Sequence, residues 1–383
     1  MINKKDCCGC TACMHICPVK CIEMKEDKEG FLYPAVDNEK CIHCHKCERV
    51  CPIGNLINYN NETKTFIGYN KNEEIREKSS SGGIFSLAAE WIIEQNGVVF
   101  GAAFDENFEV CHIAAENEEE LSKLCGSKYV QSSLGDAYPK VKQYLENNRK
   151  VLFTGTGCQI AGLKKYLNKE YENLYTVDVL CHGVPSPKIW KMYLEEKKKQ
   201  YNAPIQKIEF RNKESGWKNF SVNIEFADNQ RYCIKFYEDK YMQMFLGNID
   251  LRPSCHNCRF KGFPRISDMT IGDSWGIESY MPDMDDDMGT SVILVHSQKG
   301  VKLLDAVRQS LNLRDASLDK ALPITAESRK SVEMHPNRKK FFKGLSNGES
   351  FEELCAYIPK SFVQRLASFI RYMFMRVRVN VKH

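Results

Sequence analysis

The chain has 383 residues, enough for two or three domains with full-size cores, and its formal charge of +4 is spread along it rather than gathered in the basic stripe of a nucleic-acid binder. The opening MINKKDCCGC has no apolar leader, and no apolar run reaches the roughly 18 residues of a membrane helix, so a cytoplasmic protein is expected. In that setting 18 cysteines point to metal ligation rather than disulfides.

Residues 1–60 read as an α+β, ferredoxin-like domain with two clusters. CCGCTACMHICP places Cys7, Cys10, Cys13 and Cys17 ahead of Pro18, and CIHCHKCERVCP places Cys41, Cys44, Cys47 and Cys51 ahead of Pro52, each 34 residues after its counterpart. Three thiolates at three-residue intervals wrap a loop around one cubane, while the fourth, followed by proline, reaches the other. The spacing predicts one [4Fe–4S] cluster on Cys7, Cys10, Cys13 and Cys51, and a second on Cys41, Cys44, Cys47 and Cys17. A zinc knuckle pair or a disulfide knot would not account for eight matched positions. Cys8 and Cys21 fall outside the pattern and read as bystanders packed near the clusters, and His43 and His45 as loop residues.

Residues 61–145 begin an α/β domain. KSSSGGIFSLAAEWIIEQNG reads as a turn and a helix with an apolar stripe at Ile84, Leu87, Ala88, Trp91 and Ile92, stopped at Asn96-Gly97. Ser79 to Ser81 offer caps, and Gly82 and Gly83 are expected to leave amides open; either an anion site or an ordinary capped helix follows. VVFGAAF reads as a buried strand. GSKYVQSSLGDAYPKVKQYLE puts Lys128 and several hydroxyls ahead of an amphipathic helix, and composition alone makes Lys128 a solvated side chain.

Residues 146–320 continue the domain. KVLFTGTGCQIAGLKKYL is strand, turn and helix but fails the GxGxxG fingerprint, because Gly162 falls too late. Cys158 lies at the carboxyl end of the strand, where open α/β sheets gather their ligands, and LYTVDVLCHGVPSPKIWKMYLEE places Cys181 likewise. Two neighbouring parallel strands would present both thiols on one edge, and Cys255 and Cys258 of RPSCHNCRF would complete a four-thiolate site. A third [4Fe–4S] cluster, zinc in the same cage, and unligated thiols are the alternatives. KIEFRNKESGWKNFSVNIEFADNQRYCIKF alternates like an antiparallel β insertion, and MPDMDDDMGTS reads as a solvated acidic loop. Cys111, Cys125, Cys233 and Cys355 read as buried core thiols.

Residues 321–383 read as a helical tail. Its last stretch, SFVQRLASFIRYMFMRVRVNVKH, is basic and apolar with no acid; it suits an interfacial helix on anionic lipid, a docking helix for a partner protein, or a helix packed on its own domain.

Six stretches together, SSSGGIFSLA, GSKYVQS, GTGCQIAGLKKYL, CHGVPSPKIW, RPSCHNCRFKGF and SDMTIGDSWGI, resemble the family of coenzyme F420 hydrogenase/dehydrogenase beta subunits from about residue 66 to 300. The sequence departs from the family at Gly157, usually proline, and at Ser274, usually aromatic. The resemblance implies an FAD-binding flavoprotein domain with its own [4Fe–4S] cluster on Cys158, Cys181, Cys255 and Cys258. It also implies flavin contacts from Ser81, Gly82, Gly83, Lys128, Tyr129, Gln131, Gly155 and Thr156.

The expected function is an iron–sulfur flavoprotein oxidoreductase passing electrons between a hydride carrier, coenzyme F420 or similar, and one-electron acceptors. Expected partners are that coenzyme or a small-molecule substrate and a redox protein, with no nucleic acid. The rivals are an iron–sulfur relay protein without flavin chemistry, and a scaffold protein of a biosynthetic locus that has lost the activity. No residue stands out as an acid–base catalyst; His182 reads as packing beside a ligand.

Overall fold

The computed structural model describes residues 2–55, 62–322 and 328–358. The basic stretch from 361 onward lies outside the described residues. No helix among the described residues is long and apolar enough to cross a membrane.

The N-terminal unit carries one antiparallel hairpin, β1 (Ile22–Glu26) and β2 (Leu32–Val36), and the short helices Ala12–His15 and Lys46–Arg49. The α/β domain is built on strands β3 (Lys64–Asn70), β4 (Val98–Phe104), β5 (Val110–Ala115), β6 (Val151–Gly155) and β7 (Leu174–Val179). The insertion contributes β8 (Ile205–Asn212), β9 (Ser221–Phe226) and β10 (Arg231–Lys235), an antiparallel sheet in the order β10-β9-β8, as its alternating sequence predicts. Strands β11 (Met269–Asp273), β12 (Ser291–Val295) and β13 (Leu311–Asp315) return to the main sheet.

That sheet has eight strands in the order β13-β3-β12-β11-β7-β6-β4-β5. Its centre, β11-β7-β6-β4, is parallel, and the strands on either side are antiparallel. Because β3 lies between β12 and β13, residues 62–145 and 146–320 form one sheet. The parallel strands are largely apolar because both faces are covered and successive side chains point to opposite sides, with Thr176 and Asp178 of β7 and Thr270 of β11 as buried polar exceptions. Val98, Phe100, Val151 and Phe153 pack toward the helices Ala137–Glu146 and Gly157–Leu167, while Val99 and Leu152 pack toward Ile84–Ile93 and Gln298–Val307. In Ile84–Ile93 the buried Ile84, Leu87, Ala88 and Ile92 fall on the predicted stripe; a fully buried Leu or Ile contributes about 1.5–3 kcal/mol.

The acidic stretch is exposed at Asp283, Asp286 and Asp287, as expected, but its carboxylates are paired. Asp286 pairs with the buried Arg76 at 2.5 Å, Lys218 Nζ is 2.5 Å from Asp285, and Asp287 accepts from the Lys218 amide. Cys233 is exposed on β10 rather than in the core. The described part of the tail is helical and packed: Phe341, Phe342, Leu345, Phe351 and Leu354 join the core shared by the β insertion and helix Pro187–Tyr201.

Candidate metal centres

The two ferredoxin-type loops repeat in backbone as in sequence. Gly9 and Thr11 have φ of 72° and 61°, and their counterparts 34 residues on, His43 and His45, have 51° and 56°. Such left-handed residues turn the chain sharply between ligand positions. His43 and His45 are thus turn formers, and the His45 side chain pairs with Glu48 at 3.0 Å.

The thiols of the two loops lie close to one another. Burial and the neighbouring Cys7 and Cys51 push the Cys13 thiol up to about 12. Cys17 Sγ lies 3.4 Å from Cys21 Sγ, and Cys21 in turn neighbours Cys41. The structure brings Cys51 to the first loop and Cys17 toward the second.

The third set assembles from three distant segments. Adjacent parallel strands β6 and β7 carry Cys158 and Cys181 just past their carboxyl ends, and the turn Pro253–Asn257 brings up Cys255 and Cys258. All four line one cavity of about 40 Å³. Burial raises the Cys181 thiol well above its ordinary value, and Cys255, Cys158 and Cys258 add to the effect. Cys255 is pushed up to about 12 by burial, with Cys258 and Cys158 contributing. Four buried thiols this close do not ionise together unless a positive centre compensates them.

The wall around them suits an anionic group. Arg252, Arg259, Lys261 and Arg265 line the cavity, with Asp6 the one acid among the lining residues. Val184 N donates to Cys255 Sγ at 3.4 Å, and the Thr156 hydroxyl lies 3.1 Å from Cys158 Sγ.

A buried ion pair stiffens this edge. Arg265 donates to Asp178 Oδ2 at 2.6 and 2.9 Å, and Asp178 also accepts from Ser267 at 2.7 Å and from Thr270. Thr270 Oγ1 lies 2.9 Å from His296 Nε2. Gly157 is the first residue of helix Gly157–Leu167, a position that accepts proline, so its departure from the family pattern leaves the helix start intact. Ser274 is fully buried and bonds the Tyr280 hydroxyl.

The dicluster unit seats directly on this edge. A Cβ on Gly162 would meet Cys10 Cβ at 2.7 Å and the Tyr138 hydroxyl at 2.7 Å, so the glycine too late for a dinucleotide fingerprint is where the first cluster loop approaches the helix. Cys8 is packed near the candidate ligand thiols, as expected: it lines the cavity and lies within hydrogen-bonding reach of both Cys10 and Cys158.

The residues expected at a flavin fall into three places. Ser81, Gly82 and Gly83 lie between β3 and β12, and Ser127 N donates to Ser80 Oγ at 2.7 Å, so this loop touches the one before Lys128. The Gly82 amide is not open, since it donates to Ser291 Oγ at 3.0 Å. Lys128 is not solvated: its ammonium is buried against the carbonyls of Leu124, Cys125 and Gly126, and burial lowers it to about 8. Tyr129 stacks on Phe245 with ring centres 4.9 Å apart and accepts from Arg211 at 3.1 Å. Gln131, Gly155 and Thr156 gather near the third set of thiols, where Gln131 Nε2 donates to Cys8 O at 3.2 Å and Thr156 lines the cavity.

Sequence reasoning singled out none of the groups at the carboxyl end of β11, the strand beside β7. Arg211 pairs with Asp273 at 2.9 Å, Trp217 Nε1 donates to Asp273 at 3.1 Å, and Trp217 stacks on Trp275 with ring centres 4.5 Å apart. Trp275 is 48% exposed, and the buried Arg211 Nε has no hydrogen-bond partner among the described residues. The signals were the aromatic and acid in SDMTIGDSWGI and the basic residues of the insertion's first strand.

Comparison with known proteins matches residues 148–320 to the family described as the C terminus of the coenzyme F420 hydrogenase/dehydrogenase beta subunit, and residues 6–55 to a 4Fe-4S dicluster domain. The chain is similar to a subunit of the F(420)H(2) dehydrogenase of Methanosarcina mazei, 22% identical over 93% of this chain and 94% of that protein. It is also similar to coenzyme F420-dependent sulfite reductase of Methanocaldococcus jannaschii, 23% identical over 75% of this chain, and spans about half (49%) of that protein's length. A solved chain of the F420-reducing [NiFe] hydrogenase complex from Methanosarcina barkeri matches with 16% identity and a TM-score of 0.46, over 77% of this chain and 91% of that one. The chain thus joins a 4Fe-4S dicluster domain to a C-terminal domain of the coenzyme F420 hydrogenase/dehydrogenase beta subunit family.

Proposed function

We propose that this protein is an iron–sulfur flavoprotein oxidoreductase that exchanges electrons between a hydride carrier, coenzyme F420 or a similar two-electron donor, and one-electron acceptors. The observation that carries this reading is the convergence of Cys158, Cys181, Cys255 and Cys258 on one cationic cavity against which the dicluster unit is seated. Those four would hold a third [4Fe–4S] cluster, beside one on Cys7, Cys10, Cys13 and Cys51 and another on Cys41, Cys44, Cys47 and Cys17. When bound, the clusters supply one-electron storage and a flavin the interconversion of hydride with single electrons.

The chain's own residues position and insulate. Asp178 and Arg265 hold the wall of the third site rigid, and Thr156 and Val184 N direct hydrogen bonds at two of its sulfurs. The half-exposed Trp275 ring and the orphaned Arg211 Nε fit a planar group with polar edges on the strand beside Cys181. That edge, with Tyr129, is the place proposed for FAD or the hydride carrier. The names of the relatives support F420 as the carrier, and the place of one of them within a multi-component dehydrogenase supports a redox protein as partner.

Anaerobic purification with iron and flavin counted per chain tests this. About 12 irons and bound flavin are expected, and about 8 irons without flavin would overturn it. The internal hydrogen bonds of Gly82 and Lys128 favour one second reading, a relay protein without flavin. About 12 irons with no flavin would select it.

A further inference from the structure

Arg252 occupies an unusual position. Its side chain is fully buried between the first ferredoxin-type loop and the cavity of the third thiol set, which it also lines. It donates to Cys7 O at 2.8 Å, to Gln131 Oε1 and Leu32 O at 2.9 Å, and toward Cys7 Sγ at 3.9 Å. The guanidinium also lies 4.2 Å from the centre of the Tyr33 ring and 5.4 Å from that of Phe31. Every one of these partners is a neutral group or a thiol, and no carboxylate among the described residues lies within ion-pairing distance. The fold makes room for the cation: a Cβ on Gly9, which holds φ of 72°, would meet Arg252 at 2.9 Å.

A guanidinium cannot shed its proton to escape burial, and taking it out of water costs several kcal/mol unless a negative charge compensates. The buried Arg265 has Asp178 and the buried Arg338 has Glu29. For Arg252 the available negative charge is that of the thiolate-ligated centres on either side, each net negative by roughly two charges when oxidised.

We infer that Arg252 is a shared counter-cation for the Cys7, Cys10, Cys13, Cys51 centre and the Cys158, Cys181, Cys255, Cys258 centre, raising the reduction potential of both. Each added electron increases the negative charge facing the guanidinium, so its presence favours the reduced state on both sides. The Cys41, Cys44, Cys47, Cys17 centre is outside this effect, since none of its cysteines contacts Arg252. Arg252 is a positioning residue: it adds no ligand and reacts with nothing. The inference rests on the proposed ligation of the third site.

The test is an anaerobic redox titration of the full chain followed by electron paramagnetic resonance, with iron counted and the third signal assigned by its loss in C255S/C258S. In Arg252→Gln the midpoint potentials of two centres should fall while the third stays put; Arg252→Lys, which keeps the charge, should leave both closer to the parent values. Full iron with no shift, with a uniform shift of all three, or with equal shifts in the Gln and Lys variants overturns the inference and leaves the reading of the site standing. A parent protein with about 8 irons overturns both. If Arg252→Gln fails to hold iron, Arg252→Met takes its place: a fall confined to the same two centres and larger than in Arg252→Lys sustains the inference, and an absent or uniform shift ends it.

Discussion

The two paired centres and the third set of thiols are made by opposite means. In the first, ligand positions recur every three residues, and the turns between them, Gly9 with Thr11 and His43 with His45, repeat the same left-handed geometry. In the third, Cys158, Cys181 and the Cys255–Cys258 turn are joined only because β6 and β7 are parallel neighbours and a loop returns over their carboxyl ends. A local centre survives as long as its loop does. A convergent centre needs the whole sheet edge in place, and it should be the more fragile.

The sharpest way to break that comparison is to remove ligands. C255S/C258S should lose about four of about 12 irons and leave the paired centres intact. Loss of all iron would show that the centres are not independent. Within the pair, Cys51→Ser should strip the centre of Cys7, Cys10 and Cys13 and spare that of Cys41, Cys44 and Cys47; resonance spectra of reduced protein would show the reverse if the fourth cysteines are not crossed.

Fragility of the convergent site can be tested without touching a thiol. Arg265→Ala leaves Asp178 buried without its cation, a change that costs about 3–5 kcal/mol. Iron at the third site should fall first on mild heating, and equal loss from all three centres would contradict the distinction. A smaller effect is expected from Gly162→Ala, whose methyl would press on Cys10 and Tyr138. Overpacking of this kind costs about 1–3 kcal/mol, and here it should loosen the dicluster unit on helix Gly157–Leu167, seen as faster amide hydrogen exchange in that helix.

The smallest effect is a pH dependence. Burial lowers His112 and His296 to about 4. At pH 7 both are neutral folded and unfolded, so the shift has no effect there. Below about 6.5 the unfolded chain binds the protons first, and stability falls with pH until about 4, by up to about 1.4 kcal/mol per pH unit for each histidine. Thermal midpoints at pH 7 and 5 should converge in His296→Gln relative to the parent; an unchanged gap would mean that His296 does not contribute.

Much of this molecule was legible from residues alone. The apolar runs VVFGAAF and KVLF became parallel strands, the alternating insertion became β8 to β10, and the stripe from Ile84 to Ile92 became the buried face of a helix. Other features were misread because burial and pairing are set by the folded chain. Lys128 looked solvated, but its ammonium caps the end of the preceding helix. Asp286 looked like part of a loose acidic loop, but it neutralises Arg76, which is 210 residues distant. Cys8 was expected near the clusters, and it lies within hydrogen-bonding reach of both Cys10 and Cys158.

The sequence by itself determined which thiols are proposed for the paired centres, because those residues and the turns between them are neighbours along the chain and short-range geometry suffices. Only the tertiary structure decided that Cys158, Cys181, Cys255 and Cys258 share a cavity, and that Gly162 and Arg252 bind the dicluster unit to its edge. Burial, convergence and the pairing of charges depend on distances through space, and no spacing along a chain encodes them.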